Sequence, residues 1–122
     1  MKKILFIEDE SALQKAVTGA LLREGFDVRA ALTGEAGLAL AKKEAPDLIL
    51  LDIVLPEKDG FAVLEELKKD PITARIPVII MSNLEGSEDV QKALERGATT
   101  YLVKMNYKLE EVVEKIKSVL AA

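Results

Sequence analysis

Neither cysteine nor histidine occurs among the 122 residues. Without cysteine there is no disulfide framework, no thiolate nucleophile and no sulfur-based zinc site. Without histidine the chain lacks the commonest general base and the commonest nitrogen ligand for a metal, and it cannot form a phosphohistidine of its own. Any metal must be held by oxygen. Long apolar runs are also missing. Met1-Lys2-Lys3 leads only into Ile4-Leu5-Phe6-Ile7, which is too short for the apolar stretch of a signal peptide or for a membrane span. The chain is therefore expected to be intracellular and cytoplasmic, with no membrane association. A basic excess is absent too, since 17 Lys and Arg stand against 21 Asp and Glu, a formal net charge of −4. That field repels nucleic acid phosphates and argues against direct DNA or RNA binding.

What remains is the make-up of a folded protein, 49% hydrophobic and 31% charged, at a length that can bury a core without staples. One domain over residues 1–122 is expected. Ile4–Ile7 has the continuous apolar character of a strand buried on both faces, and Glu8-Asp9-Glu10-Ser11 follows it. Ser11 or a neighbour is the candidate N-cap of a helix to about Glu24, with Leu13, Val17, Ala20, Leu21 and Leu22 at helical spacing and Gly25 as its stop. A weaker strand over Val28–Ala31 precedes a helix over Glu35–Glu44, which Pro46 ends. Leu48–Leu51 runs into Asp52, and the turn-rich Pro56-Glu57-Lys58-Asp59-Gly60 opens a helix to about Lys69. In that turn Asp59 is read as a cap and Gly60 as a permissive turn residue. Val78–Met81 ends in Ser82 and is followed by a helix from about Ser87 to Arg96, stopped by Gly97. Tyr101–Val103 ends in Lys104, and a last helix from about Leu109 to Leu120 carries Leu109, Val112, Val113, Ile116 and Leu120 on one stripe. Five strands alternating with five helices imply an α/β doubly wound parallel sheet with helices on both faces.

In such a sheet, ligands bind beyond the carboxyl ends of the strands. There stand Glu8 and Asp9, then Asp52, Ser82 and Lys104. Three crowded carboxylates repel one another unless a proton or cation intervenes, and with only oxygen donors that cation should be hard. Magnesium, with manganese able to take its place, is the expected cofactor. An aspartate, an ammonium and a hydroxyl around such an ion suit phosphoryl transfer: the carboxylate attacks in line while the others stabilise the phosphoryl oxygens.

From Lys3 to Leu120 the chain resembles the receiver domains of two-component response regulators. The likeness rests on Glu8-Asp9, on Asp52 within Leu51-Asp52-Ile53-Val54-Leu55-Pro56-Glu57-Lys58-Asp59-Gly60, and on Ser82, Tyr101 and Lys104. The resemblance implies a flavodoxin-like, CheY-like sheet of strand order 2-1-3-4-5, with Asp52 as the phosphoacceptor. It makes Asp9, Asp52 and the Val54 carbonyl the metal ligands, with Glu8 acting mainly through a metal-bound water. Ser82 and Lys104 hold the phosphoryl oxygens, and Ser82 and Tyr101 rearrange together as the switch. The face of the fourth helix, fifth strand and fifth helix is the output surface. The implied partners are a histidine kinase or histidine phosphotransfer protein and a downstream output protein, with room for a phosphorylation-dependent homodimer. The protein would catalyse only its own phosphorylation and dephosphorylation.

Three positions depart from the usual pattern. Met105 follows Lys104 where proline, in a cis bond, is common; a cis bond before a non-proline residue costs ~2.5–4 kcal/mol, so a trans bond and a different loop are expected. Asn83 stands where a smaller residue is usual and narrows access to the phosphate. Glu8 replaces the commoner aspartate and keeps the charge. Val54 and Leu84, two residues beyond Asp52 and Ser82, are apolar and cannot orient a water. Slow phosphate loss is expected, with Leu84 over the mouth of the site. Other classes fit less well. A magnesium-dependent phosphohydrolase needs a second acid beside the nucleophile, where Ile53-Val54 offers none. A flavodoxin-like cofactor carrier would not place Glu8-Asp9-Glu10 where phosphate binds.

Overall fold

The computed structural model describes residues 1–84 and 86–121. Its elements are β1 (Lys3–Ile7), α1 (Ser11–Arg23), β2 (Asp27–Ala31), α2 (Gly34–Glu44), β3 (Leu48–Leu51) and α3 (Gly60–Lys69). There follow β4 (Val78–Ser82), α4 (Ser87–Glu95), β5 (Thr100–Val103) and α5 (Leu109–Ala121), with a short 3-10 turn at Lys104–Asn106 between the last two. All strand pairs are parallel, in the order β2-β1-β3-β4-β5. The expected doubly wound sheet is therefore the fold.

Alternation along the strands explains why both faces are covered. Leu5, Ile7, Ile49, Leu51, Val78 and Ile80 point to one side and pack with Leu38, Ala41, Val63, Leu64, Leu67 and Ala93 of α2, α3 and α4. Ile4, Phe6, Leu48, Leu50, Ile79, Met81 and Leu102 point to the other and meet Val17, Ala20 and Leu21 of α1 and Val112, Val113 and Ile116 of α5. The edge position of β2 accounts for its weak apolar signal. No helix among the described residues is long and apolar enough to cross a membrane.

Local signals were partly displaced. Ser11 is the first helical residue of α1 rather than its cap, and the N-cap Glu10 makes no side-chain cap bond. Helix α2 starts one residue earlier than expected because Thr33 caps it, its hydroxyl accepting from the Ala36 amide at 3.1 Å. Gly25 and Gly97 do adopt the positive φ of helix stops, at 89° and 103°.

Candidate functional site

Every strand-end residue named above reaches the same rim. Asp52 follows β3, held there by its own amide donating to the Ile7 carbonyl at 3.0 Å. Its side chain is almost wholly buried. Oδ1 accepts from the Val54 amide at 3.2 Å, and Oδ2 accepts from Lys104 Nζ at 3.2 Å. Glu8 is fully buried, whereas Asp9 is exposed. One carboxylate oxygen from each of Glu8, Asp9 and Asp52 lies within 4.8 Å of the other two. These groups line a cleft of about 250 Å³ together with Glu10, Val54, Asn83 and Lys104.

The Glu8 carboxylate decides the electrostatics. Oε2 accepts from the Glu10 amide at 3.1 Å. Oε1 forms an ion pair with Lys104 Nζ at 2.8 Å, but among the described residues it has no aligned hydrogen-bond donor. Burial raises the Glu8 carboxyl to about 7, the approach of Lys104 opposes the rise, and the charge of Asp52 adds to it. Burial works against the Lys104 ammonium, but Glu8 and Asp52 outweigh it and leave this amine above its ordinary value. A buried carboxylate oxygen with no aligned donor, beside two more carboxylates, is a donor set that a hard divalent cation would complete. The residues present therefore fit such an ion.

Ser82, the last residue of β4, is fully buried and not among the residues that line the cleft, and its hydroxyl accepts from the Leu84 amide at 3.3 Å. Tyr101 donates its hydroxyl to the Leu84 carbonyl at 2.6 Å. One peptide segment thus tethers both. The expectation that Leu84 covers the mouth is corrected here: its side chain packs against the α2–α3–α4 core and does not line the cleft. Its two backbone bonds fix the chain so that Asn83, not Leu84, turns outward. All peptide bonds among the described residues are trans, Lys104–Met105 included, and Met105 is exposed on the 3-10 turn.

Two contributors were read differently or missed. Glu10 lines the cleft, and its only sequence signal was its place beside Glu8-Asp9. Gly60 has no positive φ; it matters through close approach. A Cβ there would stand 2.4 Å from the Asp52 carbonyl oxygen and 2.5 Å from Ile53 Cα. The Gly60 amide also donates to the Ile53 carbonyl at 2.7 Å, while Asp59 caps α3 as expected. Gly60→Ala must therefore push backbone against backbone, and a loss of about 2–3 kcal/mol in urea unfolding is expected. A variant as stable as the parent would show that the loop yields freely.

The family model for the response regulator receiver domain matches residues 4–117. Among curated proteins, the chain is 38% identical over 120 residues to the DNA-binding dual master transcriptional regulator RpaA of Synechocystis, covering 98% of this chain and 49% of that protein. It is 43% identical over 120 residues to the transcriptional regulatory protein CiaR of Streptococcus pneumoniae, covering 98% of this chain and 52% of that one. The chain thus spans about half the length of these relatives. Among solved structures, a CheY-like receiver domain protein of Methanospirillum hungatei superposes with a TM-score of 0.92 at 30% identity, over 99% of this chain and 94% of that one.

Proposed function

The chain belongs to the response regulator receiver domain family, and from this premise we propose that residues 1–122 form one receiver domain in which Asp52 accepts a phosphoryl group. The observation that carries this reading is the convergence of Asp52, two further carboxylates and the Lys104 ammonium in one cleft at the ends of parallel strands. Asp9, Asp52 and the Val54 carbonyl would hold Mg²⁺, or Mn²⁺ in its place, with Glu8 acting through a water. When bound, the ion screens the carboxylates and draws charge from the phosphoryl oxygens.

The donor is the phosphohistidine of a kinase or phosphotransfer protein. An Asp52 oxygen attacks phosphorus in line, so that the O–P bond forms as the donor's N–P bond breaks. Lys104, already against Asp52, is placed to meet the incoming phosphoryl oxygens. Ser82 turns toward the same group and gives up its hold on the Leu84 amide. That loosens the segment to which Tyr101 is tied, and the change passes to the face of α4, β5 and α5. An output protein, or a second copy of the chain, reads that face. The domain does not bind nucleic acid itself, acts in the cytoplasm and catalyses only its own phosphorylation and dephosphorylation. The two residues that follow Asp52, Ile53 and Val54, supply no second acid of the kind a phosphohydrolase uses after its nucleophile, which disfavours that class. Incubation with a small acyl-phosphate donor, with and without Mg²⁺, tests the reading by mass spectrometry of the intact chain. Mg²⁺-dependent addition of one phosphoryl group supports it, and no addition removes it.

Phosphate loss depends on how water enters the cleft. Val54 is 56% exposed at its edge and offers no hydrogen-bonding side chain. Val54→Asn, which can orient a water, is expected to shorten the phosphate lifetime by about tenfold, a small part of what positioning a reactant can supply. Leu84→Glu should instead lower stability, because that side chain packs on the core. Acceleration by Leu84→Glu equal to that of Val54→Asn would return Leu84 to the mouth of the site.

A further inference from the structure

The loop that leaves Asp52 contains a strained reversal. The Lys58 amide donates to the Pro56 carbonyl at 2.8 Å, closing a three-residue γ-turn around Glu57, whose φ is 66°. A non-glycine residue takes that conformation only where its surroundings impose it. The imposing contacts converge on the next residue. Lys58 Nζ lies 2.7 Å from Glu35 Oε1 in the first turn of α2 and forms a second ion pair with Glu66 of α3. These two acceptors hold the Lys58 ammonium above its ordinary value. The backbone is gripped as well, since a Cβ on Gly34 would stand 3.0 Å from the Lys58 carbonyl oxygen and 2.7 Å from Val63 Cγ2. Helices α2 and α3 thus seize one residue from two sides. At its far end the loop is closed by the Gly60 amide on the Ile53 carbonyl. Between Asp52 and that seized residue lies Val54, whose amide is bonded to Asp52.

We infer that Lys58 is a positioning residue for the phosphoacceptor site: by clamping the loop to α2 and α3 it fixes where the Val54 carbonyl stands, and with it the affinity for the divalent cation. The inference rests on the proposed reading of the Asp52 site and adds to it a residue outside the cleft. Lys58 is not among the residues that line the cleft, its ammonium pairs with Glu35 and Glu66, and its influence on the site runs through the loop.

The test is a Mg²⁺ titration of the full chain, followed by the amide shifts of ¹⁵N-labelled protein, with urea unfolding in parallel. Lys58→Met should weaken Mg²⁺ binding by about three- to tenfold, the scale of losing an outer support to a metal ligand, and should speed amide exchange at Gly60. Lys58→Arg, which keeps the charge and can still bridge, should recover most of the affinity. If Lys58→Met does not fold, the pair Glu35→Ala and Glu66→Ala leaves Lys58 in place, removes both acceptors and should reproduce the loss. A variant lacking the clamp that binds Mg²⁺ as tightly as the parent overturns the inference, as does lower unfolding stability with unaltered affinity. Absence of Mg²⁺ binding by the parent itself would instead count against the reading of the Asp52 site.

Discussion

Asp52→Asn is expected to reduce labelling by a small acyl-phosphate donor to background, a loss of more than about a hundredfold, because an amide oxygen is too weak a nucleophile to replace the carboxylate. Folding should survive. The side chain keeps its shape, its carbonyl oxygen can still accept from the Val54 amide, and Lys104 keeps Glu8 as a partner. Urea unfolding should therefore change by no more than about 1 kcal/mol. Mass spectrometry after exposure to donor and Mg²⁺ measures the first effect. Stable label on the variant would mean that another side chain accepts the phosphoryl group.

The second large effect is a pH dependence that runs opposite to the usual behaviour of carboxylates. The Glu8 carboxyl is raised to about 7 from an ordinary 4.5, chiefly by burial. Between those values the folded protein binds the proton more tightly than the unfolded chain does. Metal-free stability should therefore fall as pH rises from about 4.5 to 7, by up to about 3 kcal/mol. Glu8→Gln cannot ionise and should flatten that slope. Mg²⁺ should offset the loss reached by pH 7 in the parent, since a cation favours the charged form. Urea unfolding at several pH values, with chelator and then with Mg²⁺, measures all three. A metal-free parent whose stability is level across this range would show that Glu8 ionises freely despite its burial.

These two expectations differ in how far the sequence alone leads to them. Asp52, Asp9, Ser82 and Lys104 could be placed on one rim because short apolar runs mark buried parallel strands, and the residue after each run must emerge at the same edge. That inference needs only periodicity and chain order. The state of Glu8 could not be read in the same way. Glu8 and Asp9 are adjacent acidic residues in the sequence, yet one is sealed under the cleft and the other is exposed, a difference set by which way each side chain points at the end of β1. Gly60 looked like a turn residue because glycine commonly serves that purpose; its real constraint is the backbone of Asp52, far from visible in local pattern. Leu84 was misplaced for a related reason. Its distance from Ser82 along the chain was known, but the bonds from its own amide and carbonyl, which turn its side chain inward, are tertiary. The Lys58 clamp, formed by residues from three separate elements, had no sequence signature at all.

The strand order also sets a rule of reach. Beta strands stand about 4.8 Å apart, and β3, which delivers Asp52, has β1 and β4 as immediate neighbours and β5 one step further out. A group on a neighbouring strand can be short, and Ser82 at the end of β4 is short. A group on β5 must span two strand spacings to touch the same carboxylate, and the long arm of Lys104 does so, arriving 3.2 Å from Asp52 Oδ2. At the ends of β4 and β5, side-chain length thus follows the distance from β3. Transferring the ammonium to β4, or the hydroxyl to β5, would keep the chemical inventory of the rim and lose the convergence that gives it a purpose.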